Sequence, residues 1–154
     1  MHVLIPTDGS GTAVEAARRA FDLLDRADHV TLLSVLTRVP GEDVDELDEP
    51  ASSPEEQARQ WEVELREAKR ELARTAAVIS TAQVDTRIEA GDVSSTIARV
   101  AGELAVDLIV LGARPGHGLR HAIRRSLAER VVHNAPCAVL VVPERDGQVT
   151  NDGG

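Results

Sequence analysis

The segment from Val106 to Val142, VDLIVLGARPGHGLRHAIRRSLAERVVHNAPCAVLVV, leaves this chain few folds to adopt. An apolar run, Leu108 to Leu111, breaks at Gly112 into a glycine-bearing turn, Gly112-Ala113-Arg114-Pro115-Gly116-His117-Gly118. A helical segment follows, and then a second apolar run, Ala138 to Val142. A buried strand that empties through a flexible turn into a helix N-terminus is where α/β proteins hold phosphate. Free backbone N–H groups and the helix dipole both favour an anion there. The turn is also locally basic: Arg114, Arg120, Arg124, Arg125 and Arg130 stand against Glu129, in a chain of formal net charge −9. That contrast points to a small anionic ligand. The same arginines would equally suit a helix that balances acidic neighbours or a partner subunit.

At 154 residues the chain fits one domain with a substantial core. Apolar residues make up 42%, but Phe21 and Trp61 are the only aromatics, so the core must be built from Val, Leu, Ile and Ala. Scarce aromatics and an acidic balance argue against a nucleic-acid partner, which calls for basic stripes and stacking platforms. No apolar run approaches membrane-spanning length, and Met1 leads directly into strand-like residues without a signal peptide. A cytoplasmic protein with no membrane partner is the expectation. The single cysteine, Cys137, opens an apolar strand and reads as a small buried hydrophobe. Lys69 is the only lysine, so nearly all the positive charge is arginine.

Five strand candidates alternate with four helix candidates. The first strand, His2 to Pro6, ends at Thr7-Asp8-Gly9-Ser10, where Ser10 or Asp8 caps the next helix. In that helix Val14, Ala17, Phe21 and Leu24 recur at helical spacing as the inward stripe. The second strand, Val30 to Leu36, precedes an acidic loop from Pro40 to Pro54, expected to be mobile. The second helix starts at Ser53-Pro54 and turns Trp61, Leu65, Ala68 and Leu72 inward. The pairs Glu55/Arg59 and Glu62/Arg66 lie four apart on its solvated face, each adding about 0.3 kcal/mol. A half-covered third strand, Val84 to Glu89, leads through Ala90-Gly91-Asp92 into a third helix that buries Ile97, Val100, Ala101 and Leu104. The fourth helix carries Leu119, Ile123, Leu127 and Val131 four apart. Such alternation implies an α/β, doubly wound, mostly parallel sheet of five strands with four helices.

With these elements in place the chain resembles the universal stress protein family from Val3 to Pro143. VLIPTDGS, followed by Ala13 and Ala17, resembles the family's opening strand and Asp-Gly-Ser turn. Glu89-Ala90-Gly91-Asp92 resembles the turn before its third helix. In the carboxyl half LIVLGAR, GLR, SLAERVV and APCAVLVVP fall in the family's order and spacing without a gap. The resemblance implies a Rossmann-like sheet in a stress-linked cytoplasmic protein, one domain over 1–143 with a disordered tail over 144–154. It also implies a homodimer, and Ala138 to Val142 is the strand expected to make it. That strand is a continuous apolar run, and in the family's order it lies at the sheet edge with unpaired N–H and C=O groups.

Some members of this family bind ATP through a GxxGxxxxxxxxxG(S/T) pattern in the turn, and others have lost it. Here Gly112 fills the first position and Ser126 the last, while Pro115 and Arg125 replace the second and third glycines. Proline has no N–H to offer a phosphate. Losing a hydrogen bond to a charged group costs roughly 1.5–3 kcal/mol, about ten- to a hundredfold in affinity. Arg125 puts a large side chain where the backbone must approach closely. Against this, Gly116 and Gly118 keep the turn pliable, and guanidinium groups such as Arg114 supply charge-assisted donors of similar strength. The balance favours weakened ATP binding over retention. For the rest of the pocket the resemblance places Pro6, Asp8 and Val35 near the nucleoside and Leu111 and Gly112 at the ribose. Each also has a plain structural role: Asp8 as a helix cap, Val35 and Leu111 as strand residues. A pocket with its nucleoside half intact suits adenosine, AMP or another small anion better than ATP.

Other chemistries are weaker. His117 and His121 share a helical spacing but lack a third zinc ligand. Neither GxSxG nor GxxxxGK(S/T) occurs. Ser126 with nearby His and Glu has the right types for hydrolysis, but one helix does not make a triad. The reading is a non-enzymatic, stress-linked binding or regulatory protein with a degenerate adenine-nucleotide site. Its competitors are an ATP-binding switch, a weak nucleotidase and a purely structural dimeric module.

Overall fold

The structure, a computed structural model, describes residues 1–25, 27–37, 53–80, 83–113 and 126–143. Among these it has five strands and four helices in strict alternation: β1 (His2–Pro6), α1 (Gly11–Leu23), β2 (His29–Leu36), α2 (Pro54–Ala76), β3 (Gln83–Ala90), α3 (Val93–Glu103), β4 (Leu108–Ala113), α4 (Leu127–Asn134) and β5 (Ala138–Pro143). Every strand pairing is parallel, and the order is β3-β2-β1-β4-β5. The expected α/β architecture is therefore the observed one. Residues 114–125, the acidic loop over 38–52 and the tail 144–154 lie outside the described residues.

The sheet is covered on both faces, as a parallel sheet must be. On one side Val3, Ile5, Val30, Leu32 and Val110 pack on Ala16, Ala17 and Ala20 of α1 and Leu72 of α2. On the other, Leu4, Leu33, Ile109 and Leu111 pack on Ile97, Val100 and Ala101 of α3 and Val131 of α4. The third helix buries Ile97, Val100 and Ala101 as expected, with Leu104 half-buried at its end. The second begins at Ser53 with a full capping box: Ser53 Oγ accepts from Glu56 N, and Glu56 accepts from Ser53 N.

Four expectations need correcting. The inward stripe of α1 is Ala16, Ala17 and Ala20, and Val14 and Phe21 are only half-buried. Gly112 explains the rotation. A Cβ built there would lie 3.1 Å from the Thr12 carbonyl oxygen and 3.2 Å from Ala16 Cβ, an approach that only small residues permit. Next, the described α4 starts at Leu127 with Ser126 as its cap, while Leu119 and Ile123, expected on the same helix, lie outside the described residues. Ser126 is extended (φ −57°, ψ 157°), its hydroxyl accepts from Glu129 N, and Leu127 is 39% exposed. Ser126-Leu127-Ala128-Glu129 carries the residue types of a capping box and marks the start. Third, β5 is covered less than its composition suggests, with Ala138 and Val141 exposed at the sheet edge. Last, the ion pairs among the described residues lie away from Glu55/Arg59 and Glu62/Arg66. The main group is a closed ring in which Arg87 and Arg99 each bridge Glu89 and Glu103, tying β3 to α3.

At the amino-terminal edge of the sheet His2 and His29 stack with ring centroids 3.9 Å apart, and His29 Nε2 meets Asp85 at 2.6 Å. Cys137 is half-buried, and burial raises its thiol pKa. No helix among the described residues is long and apolar enough to cross a membrane.

Candidate functional site

In a parallel sheet every crossover helix begins at the carboxyl ends of the strands, so loops and helix N-termini gather along one edge. Here the winding reverses between β1 and β4. The pairing of these strands covers Val3↔Leu108 and Leu4↔Ile109 only, stopping short of Pro6 and Ala113. On the other side of β1, pairing with β2 continues to Pro6↔Leu33. The central strands therefore part at the switch point, where α/β sheets hold ligands.

The turn after β1 is held by a chain of hydroxyls. Gly9 N donates to Thr7 Oγ1 (3.1 Å), Thr7 Oγ1 meets Thr75 Oγ1 of α2 (2.8 Å), and Thr75 Oγ1 donates to the Glu71 carbonyl (3.0 Å). With the Thr75 proton committed to Glu71, the proton between the threonines belongs to Thr7. Arg74 adds a bond to the Gly9 carbonyl at 3.1 Å. Gly9 has φ +67°, and a Cβ there would sit 2.5 to 2.9 Å from Glu71 Cγ, Cβ and Cα. Only glycine meets both demands. Asp8 accepts from Ser10 N at 3.0 Å, and Ser10 is the cap of α1, its Oγ accepting from Ala13 N.

Next to this turn lies a crevice of about 350 Å³, lined by Thr7 and Asp8, by Ser34, Val35, Leu36 and Thr37 at the end of β2, and by Glu64, Glu67, Ala68 and Glu71 of α2. It brings Asp8 and Val35 together, two of the residues expected near a nucleoside. Pro6, Leu111 and Gly112 stand at the neighbouring strand ends and do not line it. Leu111 is 4% exposed, its side chain sunk in the core, so only its backbone is available to a ligand. Gly112 is exposed and serves the α1 contact already described. Ser126 caps α4. Arg114, Gly116 and Gly118, with Pro115 and Arg125, lie outside the described residues.

Sequence reasoning missed the acidic wall and the threonine pair. Thr75 falls on the same helical face as Ala68 and Leu72, and a hydroxyl on a buried stripe demands a partner. Glu64, Glu67 and Glu71 follow i, i+3, i+7 beside that stripe, a spacing that puts them on one side of α2. Burial, with Asp8 and Glu67 close by, pushes the Glu71 carboxyl pKa up against the opposing pull of Arg74.

The family model described as "Universal stress protein family" matches residues 1–143. A universal stress protein of Synechocystis is 36% identical over 146 residues, covering 92% of this chain and 84% of the relative. Among solved structures, a universal stress protein in complex with cAMP has a TM-score of 0.62 at 18% identity, with 92% of this chain and 96% of that one covered. An Arabidopsis thaliana universal stress protein with AMP bound has a TM-score of 0.63 at 15% identity, with 99% and 97% covered.

Two substitutions test the turn and its acidic wall. Gly9→Ala forces a side chain into left-handed backbone and against α2, and should lower unfolding free energy in urea by about 2 kcal/mol or more. Glu71→Gln should act the other way. A carboxyl raised in the folded state costs stability once ionised, and the cost disappears as pH falls below its unfolded value. The variant should melt above wild type near pH 8 and level with it near pH 3.5, below the ordinary glutamate range, as read by circular dichroism.

Proposed function

Because the chain belongs to the universal stress protein family, we propose that it is a non-catalytic, stress-linked binding protein. Its ligand is an adenine nucleotide held across the carboxyl ends of β1, β2 and β4. The observation that carries this reading is the parted β1–β4 junction, with Asp8 and Val35 gathered beside it and the exposed Gly112 across from them. The cAMP and AMP complexes of proteins with this fold support the ligand class. A monophosphate suits this chain better than ATP. Pro115 and Arg125 stand where the family's phosphate turn has glycines, and Asp8, Glu64, Glu67 and Glu71 oppose added negative charge nearby. The Ser126 hydroxyl is engaged as a helix cap, which supports binding over hydrolysis.

Calorimetry with AMP, cAMP and Mg-ATP tests the reading. AMP or cAMP should bind more tightly than ATP, whose affinity should be no better than roughly high micromolar by the lost-contact estimate. Pro115→Gly with Arg125→Gly should tighten ATP. Low-micromolar ATP binding by the wild type, or ATP copurifying at full occupancy, would sink the monophosphate preference.

The protein is further proposed to be a homodimer through β5. Among the described residues that strand pairs only with β4, which leaves its outer edge with unpaired backbone groups, and Val141 is 36% exposed. Antiparallel pairing about a twofold axis would satisfy the edge and cover the valine. Light scattering should give a dimer for wild type and a folded monomer for Val141→Lys. A monomeric wild type at tens of micromolar would count against it, and a dimeric variant would place the contact elsewhere.

A further inference from the structure

We propose that the stacked pair His2–His29 is an acid-released latch on the amino end of β1, which holds the strand while at most one ring is protonated and frees it when both are. The pair lies at the sheet edge opposite the ligand edge, so this goes beyond the nucleotide reading and does not depend on it. His2 and His29 are partners in the parallel β1–β2 register, with ring centroids 3.9 Å apart and planes 7° from parallel. His2 Nε2 meets Thr31 Oγ1 at 2.9 Å, and His29 Nε2 meets Asp85 of β3 at 2.6 Å.

The strand end under the pair joins three segments. The Met1 amino group pairs with Asp28 at 2.7 Å, and the Met1 carbonyl accepts from Asp28 N and His29 N at 3.2 and 3.4 Å. On the other side the His2 backbone exchanges two bonds with Asp107, just ahead of β4. Its N–H donates to the carboxylate at 2.8 Å, and its carbonyl accepts from Asp107 N at 2.9 Å.

Charge sets how many protons the stack tolerates. Asp85 is in contact with His29 and balances one; its other bonded neighbour, Gln83, is neutral. The His2 ring has no bonded carboxylate among the described residues. Its neighbour Thr31 is a neutral hydroxyl, the Asp107 carboxylate is engaged by the His2 N–H, and the Met1 amine brings positive charge already matched by Asp28. Cys137, ahead of β5, stands beyond these within reach of the Asp107 charge. A second proton therefore sets two cations face to face. Burial, and then the His29 ring, hold the His2 imidazole below its ordinary value against the opposing pull of Asp107, Asp85 and the Leu104 carbonyl.

Because His29 is tied to Asp85, His2 is the ring that leaves. Thr31 is 4% exposed, and its hydroxyl loses that partner when the ring turns out, so the latch stays closed until repulsion opens it. The sign follows from linkage. A base whose pKa is lowered by folding contributes stability that is full above the ordinary histidine value of about 6.5 and is lost as pH falls through it.

Amide hydrogen exchange read by NMR near pH 7.5 and near pH 5, on either side of that value, tests the proposal. In wild type the protection of Asp107 N–H, which donates to the His2 carbonyl, should fall at least about tenfold at the lower pH. Gly91 N–H, bonded to the Leu36 carbonyl at the ligand edge, should stay within about twofold. His29→Phe keeps a ring over His2 and removes the second charge. In that variant Asp107 should hold its protection at both pH values, and the His2 ring should titrate at higher pH than in wild type. His2→Gln has no ring to expel and should hold it too. Unchanged protection of Asp107 in wild type would overturn the latch, as would Asp107 and Gly91 losing protection together. So would an acid response that persists in both variants, or a His2 titration that His29→Phe does not move.

Discussion

The central strand has no free face. Val3, Leu4 and Ile5 follow one another at 0 to 1% exposure, so successive side chains are buried on opposite sides of the sheet. Everything else follows from closing both sides with helices. Parallel strands need crossovers, each crossover helix starts at the same edge, and that edge collects four helix N-termini and their caps: Ser10, Ser53, Asp92 and Ser126. A core almost without aromatics can meet this constraint because alanines let α1 lie close to the sheet. One close point of that contact is Gly112, where a Cβ would press on the Thr12 carbonyl and Ala16 at 3.1 and 3.2 Å. The glycine near the end of β4 thus also serves the packing of α1 on the sheet.

The fold was legible because its signals were redundant. Apolar runs separated by capped amphipathic segments define a doubly wound sheet even if one boundary is misplaced. Ser53-Pro54 marks the start of α2 because a cap and a proline agree, and in the structure Glu56 completes the capping box. The inward face of α1 was misread for a physical reason. Periodicity gives weight to Val14 and Phe21, whereas the packing there selects for smallness and turns Ala16, Ala17 and Ala20 inward. The start of α4 is hard to read because Leu119 and Ile123 continue the spacing of Leu127 and Val131 across the Ser126-x-x-Glu129 start signal.

The site was less legible than the fold because it is assembled across distant segments. Asp8 and Val35 could be named from resemblance alone. The wall opposite them comes from α2, some sixty residues after Asp8, and no local pattern says that Thr75 meets Thr7. That hydroxyl chain fixes where the Asp8 turn sits. Thr7 takes the Gly9 N–H and gives its own proton to Thr75, which spends its proton on the Glu71 carbonyl. Each oxygen is used, the pair is buried, and the arrangement has one consistent direction. The carboxylate of Asp8 is thereby held beside Glu71, and the charge conflict between them is structural.

That conflict divides the ligand edge by charge. On the α2 side of β2, Asp8, Glu64, Glu67 and Glu71 make a negative wall. The sequence that joins β4 to α4, from Ala113 to Ser126, carries Arg114, Arg120, Arg124 and Arg125 and no acid. A helix N-terminus favours anions at both places, yet side-chain charges of opposite sign outweigh a dipole of about half a charge. A ligand lying across the switch point therefore meets a gradient. Its electron-rich end is drawn toward the β4–α4 connection, and its hydrogen-bond donors toward the carboxylates under α2. An adenine nucleotide has that polarity, with an exocyclic amine at one end and phosphate at the other. In the proposed complex this polarity would set the base toward β2 and the phosphate toward α4, and binding should weaken with salt as charge attraction is screened.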